Sequence, residues 1–144
     1  MKLIIVRITG RIDIAPAVAR TFELLRLKRK FSCIILEDTP GNLGMLKRIQ
    51  DYVSFGSLEE ETLKQLLLKR AKSGAKQANL NEKNADAFIK EFMQNKSDFK
   101  KLKINPVFAL HPPRGGFRKP SKLLWPRGLL GKNKEINKLV LRMI

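Results

Sequence analysis

The sequence is poor in the residues that catalysis and metal binding draw on. It holds one His and one Cys in 144 residues, too few for a zinc constellation, a Cys-His pair within sight or an H-E-x-x-H helix. Cys33 stands in the apolar run CIIL and reads as a small buried hydrophobe rather than a reactive thiol. A Walker loop is missing too: the run GLLGKN has Pro126 where the first Gly would stand and Asn133 where Ser or Thr would follow Lys132. Glu59, Glu60 and Glu61 are adjacent carboxylates that diverge on a helix and read as a solvated, dipole-favoured first turn. These absences predict a protein that is no enzyme, with no metal, no cofactor and no small-molecule substrate. No apolar run approaches the ~20 residues of a membrane span, and MKLIIVRITGR is too short and too soon charged for a signal peptide. A cytoplasmic protein without a membrane partner is expected.

Acidic residues are scarce as well. Against 13 Asp+Glu stand 30 Lys+Arg, a formal net charge of +17, and such an excess points to a polyanionic partner. The imbalance is uneven. Residues 1–71 carry 13 basic and 8 acidic side chains, residues 72–110 carry 8 and 4, and residues 111–144 carry 9 and 1. Between His111 and Lys132 there are six basic residues, no acidic one, four Gly and four of the chain's seven Pro. Taken alone, that segment has too little apolar surface to fold, and an anion is expected to order it.

The rest of the chain has the apolar periodicity of a single folded domain. Lys2 to Ile8 is a β-branched run of strand length. Asp13 is placed to cap a helix with Pro16 in its first turn and Ile14, Val18, Phe22 and Leu25 on one face, ending in the cationic LRLKRK. Ser32 to Glu37 reads as a second strand, and Thr39-Pro40 as N-cap and first position of a helix with Leu43, Leu46 and Ile49 inward. Tyr52 to Phe55 is a third strand closed by Gly56. Ser57 and Glu60 have capping-box spacing ahead of a helix lined by Leu63, Leu66 and Leu67. Lys72 to Leu80 reads as a linker. Ala85, Phe88, Ile89, Phe92 and Met93 mark a further helix, with Phe99 and Leu102 as a short second piece. Val107 to Leu110 is a last strand, and Ile136, Leu139, Val140 and Met143 mark a closing amphipathic helix. Strands alternating with short helices predict one sheet with helices on one face and the other face free for a partner.

RNA binding explains the tail piece by piece. In HPPRGG, His111 and Pro112 each precede a proline and are pushed to extended conformations, which makes a stiff spacer. Arg114 can fork onto a phosphate, and Gly115-Gly116 let the backbone approach a sugar-phosphate chain. Phe117 and Trp125 interleave with Arg118, Lys119, Lys122 and Arg127, which suits stacking on unpaired bases between phosphate contacts. Trp125, with Leu123 and Leu124, could equally pin the tail to the protein's own core, and His111 could equally be a hydrogen-bonded strand end. A second cluster, Arg26, Lys28, Arg29 and Lys30, lies at the end of the first helix, with Lys47 and Arg48 one helix later. Standing alone it reads as a solvated helix end; joined to the tail it makes one surface. Lys132 closes the cationic stretch. A free-standing RNA chaperone or regulatory RNA-binding module is the alternative reading.

The stretch from Leu24 to Gly56, LLRLKRKFSCIILEDTPGNLGMLKRIQDYVSFG, resembles the signature of the ribosomal large-subunit protein thirty family (L-thirty, whose eukaryotic counterpart is called L-seven), with Leu25, Arg26, Leu27, Asp38, Pro40, Gly44, Met45 and Lys47 matching. Glu61 to Arg70 and His111 to Gly116 resemble the third helix and the tail of the longer archaeal and eukaryotic form. The His-Pro-Pro variant and the start almost at strand one imply an archaeal-type member. The resemblance implies an α+β fold with a small antiparallel sheet, a β-α-β-α-β core of ferredoxin-like type. It implies a core at residues 1–71, a helical extension and last strand at 72–110 and an rRNA-binding tail with a terminal helix at 111–144. The implied function is that of a structural constituent of the large ribosomal subunit in translation, with 23S-type rRNA, 5S rRNA and neighbouring ribosomal proteins as partners. Pro113, Arg114, Gly115, Gly116, Arg26 and Lys47 are its implied rRNA contacts.

Overall fold

The computed structural model describes residues 1–74, 76–77, 80–94, 99–100 and 102–144. Its centre is β1 (Lys2–Arg7), a six-residue strand buried along its whole length. The chain continues through α1 (Pro16–Leu24), β2 (Ser32–Glu37), α2 (Pro40–Ile49) and β3 (Val53–Ser57). After that core come α3 (Glu60–Arg70), a ladder of β4 (Lys72–Ser73) and β5 (Lys76–Gln77), α4 (Glu82–Met93), β6 (Val107–Ala109), β7 (Gly131–Lys132) and α5 (Ile136–Met143). The main sheet has the order β6-β2-β1-β3-β7, antiparallel except where β7 joins β3 in parallel. The fold class is α+β.

The pleat of β1 divides two cores. Leu3 and Ile5 point into a cluster with Val18 and Phe22 of α1 and Leu46 and Ile49 of α2. Ile4 and Val6 point the other way, toward Leu63, Leu66 and Leu67 of α3, Phe88, Ile89 and Phe92 of α4, and Ile136, Leu139, Val140 and Met143 of α5. The face expected to be free is therefore covered: α1 and α2 occupy one side, and α3, α4 and α5 the other. Every residue of β1 is apolar or pinned, as a strand buried on both faces must be. Lys2 is 5% exposed, its ammonium 2.7 Å from the Glu37 carboxylate and 4.5 Å from the Phe92 ring centroid. Cys33 is fully buried, and burial pushes its thiol far up, out of the range in which a thiolate forms.

Several local expectations shift for physical reasons. Thr39 does cap α2, its side chain accepting from the Asn42 N–H at 3.3 Å. Asp13 does not cap α1: it lies at φ 56, and Ala15 stands at the N-cap. Leu43 is 43% exposed, because α2 meets the core through Leu46 and Ile49, with Met45 half-buried beside them. Ser57 stays in β3 and makes no capping box; Glu59 is the N-cap of α3, without a side-chain bond. Asn137 of α5 serves that junction instead, donating to the Ser57 carbonyl at 2.9 Å and accepting from the Glu59 N–H at 3.2 Å. Lys72 to Leu80, expected as a linker, contains the small β4–β5 ladder. Phe99 and Leu102 lie in turns, with Phe99 buried against Phe92 and Phe108.

The largest correction concerns the tail. Its composition suggested a strap without a fold of its own, yet Leu129, Leu130 and the apolar face of α5 are part of the second core. The Asn133 N–H donates to the Phe55 carbonyl at 2.7 Å, and its side-chain amide donates to Ser54 Oγ at 3.1 Å. Gly56 of β3 makes this possible, since a Cβ there would collide with the Asn133 carbonyl and reach Ile136 at 3.0 Å. The tail's few apolar residues suffice because they are buried on the sheet rather than on one another.

Candidate nucleic-acid interface

Strand register collects the basic segments. The pairs Val6–Cys33, Arg7–Val53, Ser32–Ala109 and Ser54–Gly131 put residues 8–15, 25–31, 50–52 and 110–130 at one end of the sheet. The opposite end, marked by Lys2–Glu37 and Leu3–Ser57, holds Glu37, Asp38, Glu59, Glu60 and Glu61, all exposed, with Lys132 and Lys134 beside Asp38. Asp13 and Asp51 are exposed carboxylates among the cations of the first end. The molecule is thus polarised along its strands.

At the basic end α1 stops at Leu24, and Arg26 takes the left-handed conformation at φ 58. That turn buries Leu27 completely and leaves Arg26, Lys28, Arg29 and Lys30 exposed. The loop is held from beneath by Arg7, which is 2% exposed. Its guanidinium donates to the carbonyls of Thr9 (3.1 Å), Leu27 (2.6 Å) and Gly10 (2.8 Å), and lies 3.9 Å from the Phe22 ring centroid. Three carbonyls and an aromatic face replace the water such a charge loses. Burial, and then the charge of Arg11, lower its pKa from the ordinary arginine value.

The first cluster meets the tail at Phe31. The Leu110 N–H donates to the Phe31 carbonyl at 3.0 Å, and the Phe31 and Phe117 rings are 6.3 Å apart. Lys30 lies 5.0 Å above the Phe31 ring. The two clusters therefore form one surface around this aromatic pair. Lys47 and Arg48 are exposed in the last turn of α2, which runs toward the same end of the sheet.

Within the tail, HPPRGG is a built loop. The His111 N–H donates to the Met143 carbonyl (2.9 Å), the Arg114 N–H to the Arg142 carbonyl (3.0 Å) and the Gly116 N–H to the Pro113 carbonyl (3.0 Å). Gly115 and Gly116 have φ of 76 and 73, a conformation that glycine adopts without strain. Arg142 of α5 returns the contact, its guanidinium donating to the carbonyls of Arg114 and Gly116. His111, Arg114, Gly115 and Gly116 are exposed. Pro113 is buried, so it shapes the loop and is not available as a contact. Phe117 is half-buried against the second core, which limits its ring as a stacking platform.

Farther on, Arg118, Lys122 and Arg127 are exposed. The Lys119 ammonium lies 3.5 Å from the Trp125 ring centroid and donates to the Pro126 carbonyl at 3.2 Å. Trp125 is half-buried under that ammonium, while Leu123 and Leu124 are 49% and 44% exposed. Docking of the tail falls to Leu129 and Leu130 instead. Lys132 parts from the group and lines a separate cleft with Lys134, Met1 and Asp38. Arg118, Lys119, Lys138 and Arg142 line a cleft of about 320 Å³ over Leu129 and Leu139. Lys138 and Arg142 were not foreseen as site residues; their i, i+4 spacing on the polar face of α5 was the available signal. Arg7 gave none, a single cation in an apolar strand.

A family model described as Ribosomal protein L30p/L7e matches residues 3–53, the span from β1 to the start of β3. The large ribosomal subunit protein uL30 of Archaeoglobus fulgidus is 35% identical over 96% of this chain and 97% of that protein. The proteins of the same name from Korarchaeum cryptofilum and Nitrosopumilus maritimus are 37% and 36% identical, over 97% and 99% of this chain and 93% and 97% of their own lengths.

Proposed function

Because the chain belongs to the ribosomal protein L30p/L7e family, we propose that it is a structural constituent of the large ribosomal subunit that binds rRNA through the basic end of its sheet. The supporting observation is the polarity of the fold: Arg26, Lys28, Arg29, Lys30, Arg114, Arg118, Lys122 and Arg127 are exposed at one end, and the carboxylates of Glu37, Asp38 and Glu59 to Glu61 at the other. A phosphate backbone is drawn to the first and repelled by the second.

The RNA proposed is 23S-type rRNA, with 5S rRNA and neighbouring ribosomal proteins as further partners. On this reading residues 1–71 are the scaffold, α4 within 72–110 joins α3 and α5 on its second face, and residues 111–130 present the RNA-facing loops. Lys47, Arg48, His111, Gly115, Gly116, Phe117, Lys119 and Trp125 complete the proposed contact set, without the buried Pro113 and without Lys132, which lies apart beside Asp38. The work is charge neutralisation and shape, with no chemical step.

Two measurements test this. Co-sedimentation through a salt wash should leave the protein on large subunits at near-unit stoichiometry; release would favour a free RNA chaperone or regulator. Affinity for 23S-type rRNA fragments should fall steeply with salt, by roughly 0.7–0.9 in log–log slope per phosphate contact. A slope near zero would reject the polyelectrolyte mechanism.

A further inference from the structure

The buried guanidinium of Arg7 lies under a cleft that the tail does not reach. The loops at 8–15 and 25–31 and one face of α1 enclose a space of about 360 Å³, lined by Arg7, Arg11, Ile14, Ala19, Phe22, Glu23 and Lys28. Its size falls in the range of small-ligand sites, roughly 300–1,000 Å³. Arg11 is tied to the same wall by its Nε, which donates to the Lys28 carbonyl at 2.7 Å. Arg7 has five N–H groups, three of them committed to carbonyls. Carbonyls satisfy hydrogen bonds without neutralising charge, so Arg11 and Lys28 face the space and the charge of Arg7 lies beneath its floor. The carboxylate of Glu23 on the rim is 3.8 Å from the Arg20 guanidinium on the same helix.

We propose that this cleft seats one unpaired nucleotide of RNA, its phosphate between Arg11 and Lys28 and its sugar and base over the half-buried Ile14 and Ala19. The proposal rests on the rRNA-binding function proposed above and adds a site to it. An RNA duplex presents a convex, regular backbone, whereas the half-buried Ile14 and Ala19 form the wall of a recess, within reach only of a residue turned out of its strand. Charge complementarity selects the phosphate, and the apolar wall selects an attached nucleoside over a bare anion.

The test uses the full chain and two probes, a short unstructured oligoribonucleotide and a blunt RNA duplex, with binding read by fluorescence anisotropy. Ala19→Trp fills the cleft and leaves every cation in place. It should weaken oligoribonucleotide binding about tenfold, the scale of one lost nucleotide contact, and change duplex binding less than twofold. Unchanged oligoribonucleotide binding by a variant that melts like the wild type overturns the site. Should Ala19→Trp fail to fold, Arg11→Gln is compared with Arg127→Gln, a tail cation outside the cleft. Arg11→Gln should weaken the single strand more and the duplex equally; equal effects on both overturn the site. Inorganic phosphate competing as well as the oligoribonucleotide at equal phosphate content would reduce the cleft to an anion hole and also overturn it. If Arg127→Gln and Arg114→Gln bind both probes like the wild type, it is the rRNA-binding function that fails.

Discussion

Arg142 and Arg114 hold each other through their backbones. Arg142 of α5 donates from Nε and Nη2 to the Arg114 carbonyl at 3.2 and 2.8 Å, and the Arg114 N–H donates to the Arg142 carbonyl at 3.0 Å. One arginine of the pair is spent on architecture, and the other is left exposed with its guanidinium toward solvent. That division separates residues that shape the interface from residues that touch RNA.

Arg142→Gln should loosen the 114–116 loop. The expected loss is about 1 kcal/mol of rRNA-fragment affinity, roughly fivefold, with faster amide exchange at Gly116 and an unchanged salt slope. Arg114→Gln should instead reduce the slope by about 0.7–0.9. Identical slopes for the two variants would remove the distinction.

Arg7→Met should be costly although it fills much of the volume. It leaves the carbonyls of Thr9, Gly10 and Leu27 without their donor. The Leu27 carbonyl is buried, while Thr9 is half-buried and Gly10 exposed, so one unpaired buried acceptor predicts a loss on the order of 1–3 kcal/mol in denaturant melts. A variant within 0.5 kcal/mol of wild type, taking that as roughly the surface-substitution range, would show that the guanidinium is not needed to fold the two loops.

Gly56→Ala tests the docking of the tail. The added methyl group meets the Asn133 carbonyl, so β7 must move off β3 at about 1–3 kcal/mol, as for other overpacked sites. Trypsin should then cut after Arg127 and Lys132 in the variant and spare both in the wild type.

Glu37 gives a pH dependence of known sign. The hydrogen bond from Lys2, and then its charge, lower the carboxyl pKa below the ordinary value. Its contribution to stability is therefore complete above the unfolded-state pKa and is lost as pH falls through the lower folded-state value. Thermal melts between neutral and acid pH should show the wild type losing more stability than Glu37→Gln. Equal slopes for the two would mean that the ion pair contributes nothing.

The elements that were legible in the sequence are those whose signals are local. Ser32 and Glu37 bound β2 because polar residues flank an apolar run, and Thr39-Pro40 start α2 because cap and ring constraint are adjacent in sequence. Ile136, Leu139, Val140 and Met143 mark α5 by period alone. What stayed hidden depends on distant partners. Asn133 and Asn137 bond to Ser54 and Ser57, 79 and 80 positions away, and no periodicity connects them. The tail looked unfoldable because its apolar residues were counted as a segment, while Leu129 and Leu130 are buried against the sheet. The same holds for the interface: its cations could be picked out singly, but their union at one sheet end follows from register, and Arg7 was silent because its partners are carbonyls.

The central claim is that RNA covers the basic end of the sheet and leaves the far side of the molecule open. Lysine acetylation of intact large subunits, read by mass spectrometry against the free protein, tests it most directly. Lys28, Lys30 and Lys122, exposed in the free fold, should become protected in the particle, while Lys83 and Lys90, exposed on α4, should react as before. Protection of Lys83 and Lys90 with Lys28, Lys30 and Lys122 still reactive would contradict the account.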